Sequence, residues 1–89
     1  MIEIAFSSSF KRAFKKSVVG NAGLETKFWE RVELFKNNPF DPKLRTYKLS
    51  GKLKDLWSFS IEHDLRVIFS FAEQNKVIFV DIGGHKEVY

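Results

Sequence analysis

Trp57-Ser58-Phe59-Ser60-Ile61-Glu62-His63-Asp64-Leu65-Arg66-Val67-Ile68-Phe69-Ser70-Phe71 is the stretch on which the architecture turns. Its hydrophobic period is two. Trp57, Phe59 and Ile61 point one way, and Ser58, Ser60 and Glu62 the other. After His63-Asp64, Leu65, Val67, Phe69 and Phe71 share one face, with Arg66, Ile68 and Ser70 opposite. Alternation of this kind marks strands that bury one face of a sheet. Residues 56–62 and 65–72 are therefore predicted to form a hairpin turning at His63-Asp64, with a polar face opposite the apolar one.

Downstream, Glu73-Gln74-Asn75-Lys76 reads as the next turn and 77–82 as a last apolar strand, after which Gly83-Gly84 releases the tail. Upstream, Arg45–Leu49 reads as a short strand and Ser50-Gly51 as a turn or bulge. Before Pro42 the period lengthens to about 3.6. Phe10, Ala13, Phe14 and Val18 follow helical spacing behind the serines at 7, 8 and 9, which supply an N-cap. Gly20 stops that helix and Asn21 caps a second one over 22–37, which carries Leu24, Phe28, Val32 and Phe35 on its buried stripe. Residues 2–6 alternate as a short N-terminal strand. The expected fold is α+β with order β-α-α-β-β-β-β: an N-terminal strand, a helical hairpin and a mainly antiparallel four-stranded sheet segment, in a single domain over 1–89.

Composition narrows the class. Eighty-nine residues make one small domain. Ten Phe, two Trp and two Tyr supply large buried area per residue. No Cys is present, so disulfides and thiolate metal sites are excluded, and two His without a helpful spacing argue against zinc. No cofactor is expected. No apolar run approaches the roughly 20 residues that span a bilayer, and Met1–Phe6 does not read as a signal peptide. A cytoplasmic protein without membrane contact is expected. Net charge is +4, which favours polyanionic partners, either nucleic acid or an acidic protein segment.

Five cations, Lys43, Arg45, Lys48, Lys52 and Lys54, lie between Asp41 and Asp55 with no acid among them. The simpler reading is ordinary surface lysines; the alternative is a groove that tracks a nucleic-acid backbone. Arg66 is a charge in mid-strand. It is either a solvent-facing partner of Glu62 or Asp64 or a bidentate phosphate clamp. His85 follows two glycines and titrates near neutral pH; Tyr89 either packs over the sheet edge or stacks on a base. A base, an acid and a cation suffice to cleave RNA, because the substrate's own 2′-hydroxyl is the nucleophile.

Several segments resemble the RelE/ParE superfamily of bacterial toxins from type II toxin–antitoxin pairs, most closely its RelE/StbE and YafQ-like branch. They are Asn38-Pro39-Phe40-Asp41-Pro42, Tyr47-Lys48-Leu49-Ser50-Gly51-Lys52-Leu53-Lys54, Trp57–Ile61, Asp64–Phe69 and Asp81–Tyr89. The resemblance implies the β-α-α-β-β-β-β fold and cleavage of messenger RNA in the ribosomal A site. It also implies a 2′,3′-cyclic phosphate product and neutralisation by a cognate antitoxin. By the same resemblance Arg66 steadies the scissile phosphate, His85 is the tail histidine, Tyr89 is the terminal aromatic and Asp64 is a further catalytic position. Tyr47, Lys48, Lys52, Lys54, Ser60 and Lys86 would bind RNA. The chain departs from the pattern at four places. Tyr47 and Ser60 stand where relatives carry His, Asp81 where some carry Arg, and Gly84 where Thr is usual. Two alternatives stay open: a toxin fold that only binds antitoxin or nucleic acid, and a ParE-like gyrase inhibitor.

Overall fold

The computed structural model describes residues 1–51 and 55–84. Strand β1 (Glu3–Phe6) leads into helices α1 (Ser8–Ser17) and α2 (Ala22–Asn37). A single 3₁₀ turn, Pro42–Leu44, follows, then β2 (Tyr47–Lys48), β3 (Trp57–Glu62), β4 (Leu65–Glu73) and β5 (Lys76–Gly83). The five strands form one sheet in the order β1-β5-β4-β3-β2. All neighbours are antiparallel except β1 and β5, which run parallel with Glu3 opposite Lys76 and Phe6 opposite Phe79.

Local chemistry explains the helix limits. Ser7, with extended backbone, accepts the Phe10 N–H at 3.0 Å and caps α1. Gly20 adopts φ +96, a left-handed value that a side chain resists, and frees the chain to turn. Asn21 then accepts the Leu24 N–H at 3.1 Å and caps α2. Both helices lay their apolar stripes on one face of the sheet. Phe35 from α2 sits over the sheet with its ring 4.8 Å from Phe59, 4.9 Å from Phe69 and 5.6 Å from Phe79. Towards α1, Phe10 and Phe14 pack on Phe28 at 6.1 and 4.8 Å. Phe28, Phe35, Phe59, Phe69 and Phe79 are fully buried.

The structure corrects four expectations. The strand over Arg45–Leu49 shrinks to Tyr47–Lys48. Asp41 accepts the Lys43 N–H and Pro42 opens the 3₁₀ turn, which leaves Arg45 left-handed at φ 51 and outside any ladder. The turn after β4 is only Gln74-Asn75, because β4 runs to Glu73 and β5 begins at Lys76; Asn75 takes φ 62. Gly83 does not release the chain: it is the last residue of β5 and lies opposite Arg66. Lastly, the face opposite the helices is not uniformly open, since Ser58 and Ile68 are buried there.

Three irregularities interrupt the ladder, one of them between Phe71 and Glu73 next to the β4–β5 turn. The register shifts between Ser60 and Glu62 in β3. It shifts again where Ile68 and Phe69 of β4 oppose Asp81 and Phe79, so that Val80 is the extra residue in β5. The Val80 carbonyl, taken out of the ladder, accepts the hydroxyls of Ser9 at 2.7 Å and Ser7 at 3.3 Å. The bulge thereby ties β5 to the first turn of α1.

Candidate active site

Cross-strand register collects the polar face. One row across it runs Tyr47, Ser58, Ile68, Asp81, and the next runs Ser60, Arg66, Gly83. Directly opposed residues on adjacent strands share a face. Tyr47 on β2 and Arg66 on β4 thus lie in adjacent rows of the same face with β3 between them, and their side chains reach across it to meet. The Arg66 guanidinium carbon lies 5.7 Å from the centre of the Tyr47 ring, within cation–π range. Tyr47 is 41% exposed and lies over the arginine.

Arg66 is half-buried. Its Nη1 is sealed from solvent and has no hydrogen-bond partner among the described residues. A buried, unpaired guanidinium nitrogen is costly, because its desolvation is not returned by a bond. Such a group keeps a donor available to an incoming acceptor. Gly83, opposite, adds no side chain beside the guanidinium.

The other predicted site residues are distributed unevenly. Ser60 is directly opposite Arg66, and its hydroxyl donates to the Glu62 carbonyl at 3.0 Å, within the strand irregularity. Asp64 sits exposed in the His63-Asp64 turn. It borders a cleft of about 360 Å³ shared with Lys16, Glu62 and Gly84. Lys48 is exposed and, by strand alternation, points to the side away from Tyr47, so it does not join the Arg66 group. Lys52, Lys54, His85, Lys86 and Tyr89 lie outside the described residues. Gly84, from which the His85 segment continues, lines the cleft beside Asp64.

In the sequence Asp81 stands out only as a departure from the family pattern. The structure places it on the site face opposite Ile68, half-buried, with its carboxylate accepting the Ile82 N–H at 2.8 Å. Strict alternation along β5 would send it to the helix face with Phe79. The Val80 bulge reverses that parity, and nothing in the local sequence announces the bulge.

A family model described as the bacterial toxin of a type II toxin–antitoxin system, YafQ, matches residues 2–89. The chain belongs to the YafQ toxin family. No curated protein sequence matches it significantly. Among solved structures, a metal-bound toxin from Helicobacter pylori is similar at 26% identity and TM-score 0.81, with 100% of each chain covered. YafQ from E. coli superposes at TM-score 0.81 and 18% identity, over 100% of this chain and 99% of that one. The YoeB-YefM complex from Staphylococcus aureus gives TM-score 0.75 at 20% identity, over 96% and 98%. The fold is therefore that of RelE-like toxins, and the chain is a type II toxin of the YafQ family. No helix among the described residues is long and apolar enough to cross a membrane.

Proposed function

We propose that this YafQ-family toxin is a metal-independent endoribonuclease that cuts messenger RNA on the ribosome and is silenced by a cognate antitoxin. The observation that carries the reading is the Arg66 guanidinium, held under Tyr47 with a buried Nη1 that lacks a partner among the described residues. A phosphate oxygen is the anion that guanidinium geometry fits, and charge grows on that oxygen as the 2′-hydroxyl attacks. The attacking oxygen bonds to phosphorus and the 5′-oxygen leaves, giving a 2′,3′-cyclic phosphate. His85, in the tail that continues from Gly84, is assigned the proton transfer; Tyr89 is assigned base stacking, and Asp64 a supporting position at the neighbouring cleft. Lys52, Lys54 and Lys86 are assigned to the RNA backbone. The nucleophile belongs to the substrate, so no metal is needed to generate it.

The test is induction of the chain without its partner. Growth arrest, with mRNA fragments ending in 2′,3′-cyclic phosphate and unaffected by a chelator in a purified ribosome assay, is the expected result. Normal growth with folded protein would leave only the binding-module reading. Arrest with inhibited gyrase supercoiling and intact mRNA would move the protein to the ParE-like mechanism.

A further inference from the structure

Phe40, Trp57 and Phe71 form an aromatic corner on the helix face of the sheet, past the end of α2. The Phe40 and Phe71 rings lie 6.2 Å apart and within 24° of parallel. Each lies 5.5 Å from the Trp57 indole and nearly perpendicular to it, at 76° and 83°. Phe40 is 52% exposed and Phe71 42%, while Trp57 is half-buried. A single exposed apolar residue is ordinary. Three aromatic rings in mutual contact at the surface form a patch that marks a place of interaction.

The corner is held in place before any ligand arrives. The Asn38 side chain accepts the Phe40 N–H at 3.0 Å, and the Asn38 carbonyl accepts the Asp41 N–H at 3.0 Å. The Thr46 hydroxyl donates to the Pro39 carbonyl and ties this turn to the start of β2. The Asn38-Pro39-Phe40-Asp41-Pro42 segment, unused by the Arg66 chemistry, thus presents its phenylalanine on a fixed backbone, which lowers the ordering cost of binding. A lysine borders the rings. Lys48 lies directly opposite Trp57. The neighbouring Leu49 donates its N–H to Leu56, so Lys48 and Trp57 are a non-hydrogen-bonded pair, the kind whose side chains lie closer together. Lys48 is exposed and has no ion-pair partner among the described residues.

We infer that this corner is a stacking site for an unpaired base of single-stranded RNA, with the adjoining backbone phosphate at Lys48, on the side of the sheet away from Arg66. Exposed rings beside an unpaired cation are the two parts that a single strand needs: a π-face for the base and a charge for the phosphate. Aromatic corners also take cationic side chains, but here the residue opposite Trp57 is itself a cation. Asp41, next to Phe40, gives its carboxylate to the Lys43 N–H, and Glu73 lies opposite Lys76. The net charge of +4 points the same way. Tyr47 and Lys48 are consecutive on β2, an outermost strand among the described residues, and alternation sends them to opposite faces. The corner and the Arg66 face therefore meet at one edge, round which a single strand can pass. The inference rests on the proposed function only for the source of the RNA.

The test uses a short 2′-O-methyl RNA strand, which has no free 2′-hydroxyl and so is not cut. Trp29→Phe leaves Trp57 as the only tryptophan, and its emission reports on the corner alone. Saturable quenching by the strand is expected, with weaker quenching by an abasic strand of the same length and by a duplex, whose bases are already stacked. Phe40→Leu and Phe71→Leu keep apolar bulk but remove the π-face; each should weaken binding about fivefold or more, with thermal melting to confirm the fold. Lys48→Gln should lower the slope of log affinity against log salt by about 0.7. Cleavage of unmodified mRNA on ribosomes is read separately. Quenching without cleavage would sink the enzyme reading and uphold this one; cleavage without quenching would do the reverse. Equal quenching by the abasic strand, unchanged affinity in both Leu variants, preference for a lysine-rich peptide, or burial of Trp57 between two copies of the chain in sedimentation would each overturn the inference.

Discussion

Arg66 shows how an aromatic ring can hold a cation and still leave it a donor to give. Stacking under Tyr47 restricts the guanidinium while Nη1 stays unspent among the described residues. If that donor meets the phosphorane oxygens, Arg66→Ala should lower the cleavage rate by about 100-fold or more and leave the fold intact. Single-turnover cleavage and thermal melting of the variant measure the two effects. Arg66→Lys keeps charge but loses the planar fork, so it should recover only part of the rate. A second prediction concerns the proton. His85 brings the only imidazole of the tail, and an unperturbed imidazole titrates near pH 6.5. Cleavage should therefore change through one ionisation close to neutrality, and His85→Gln should remove both the activity and that ionisation. Restoring a family imidazole with Ser60→His, directly opposite Arg66, should raise the rate measured on ribosomes. Arg66 was legible in the sequence because a charge in an alternating strand is conspicuous. Its stacking on Tyr47 was not, since that depends on pairing between strands separated by a loop.

Among the elements, the strands declared themselves by alternation and the helices by period and caps, because these signals lie within a few residues of one another. The three register shifts did not. A bulge depends on what the partner strand and neighbouring helix demand, and here the demand comes from α1. Val80 leaves its carbonyl free, and Ser7 and Ser9 take it up. This coupling sets unequal roles for the two serines. Ser7 both caps α1 and contacts Val80, so Ser7→Ala should cost about 1–2 kcal/mol. Ser9→Ala removes the bond to Val80 and the 2.9 Å contact with the Ser7 hydroxyl but no helix cap, and a cost of about 1 kcal/mol is expected. For a domain of this size each kcal/mol lowers Tm by roughly 4–8 °C, so calorimetry resolves the order. Equal melting temperatures for the two variants would show that the cap adds nothing beyond the hydroxyl's bond to Val80. Asp81 depends on the same device: without the bulge it would point into the aromatic core instead of onto the site face.

For the molecule as a whole, six buried phenylalanines among the described residues tie the layers together within a core whose other buried residues are aliphatic. Phe35 joins the helical layer to three strands through Phe59, Phe69 and Phe79. Phe35→Ala should cost about 3–5 kcal/mol, a large part of the roughly 5–15 kcal/mol available to a domain. Urea unfolding would measure it, and a value below about 1 kcal/mol would mean that the core closes around the gap. This core was readable from the spacing of the phenylalanines, because burial follows periodicity. The edge at β1 was not, because no local pattern shows which strands end up outermost.

The parallel pairing of Glu3–Phe6 with Lys76–Phe79 also sets a schedule for synthesis. The first strand to be made has no place in the sheet until β5 has been made, and contacts so distant along the chain close late. The helical hairpin is able to form while the nascent chain is still growing, but β1 waits for β5. Among the described residues the strand that waits is also one of the two outermost strands of the sheet. Gly83, opposite Arg66, and Asp81 both arrive with β5. The Arg66 face is therefore assembled only after the fifth strand has left the ribosome; under the proposed function, synthesis of the chain precedes any working copy.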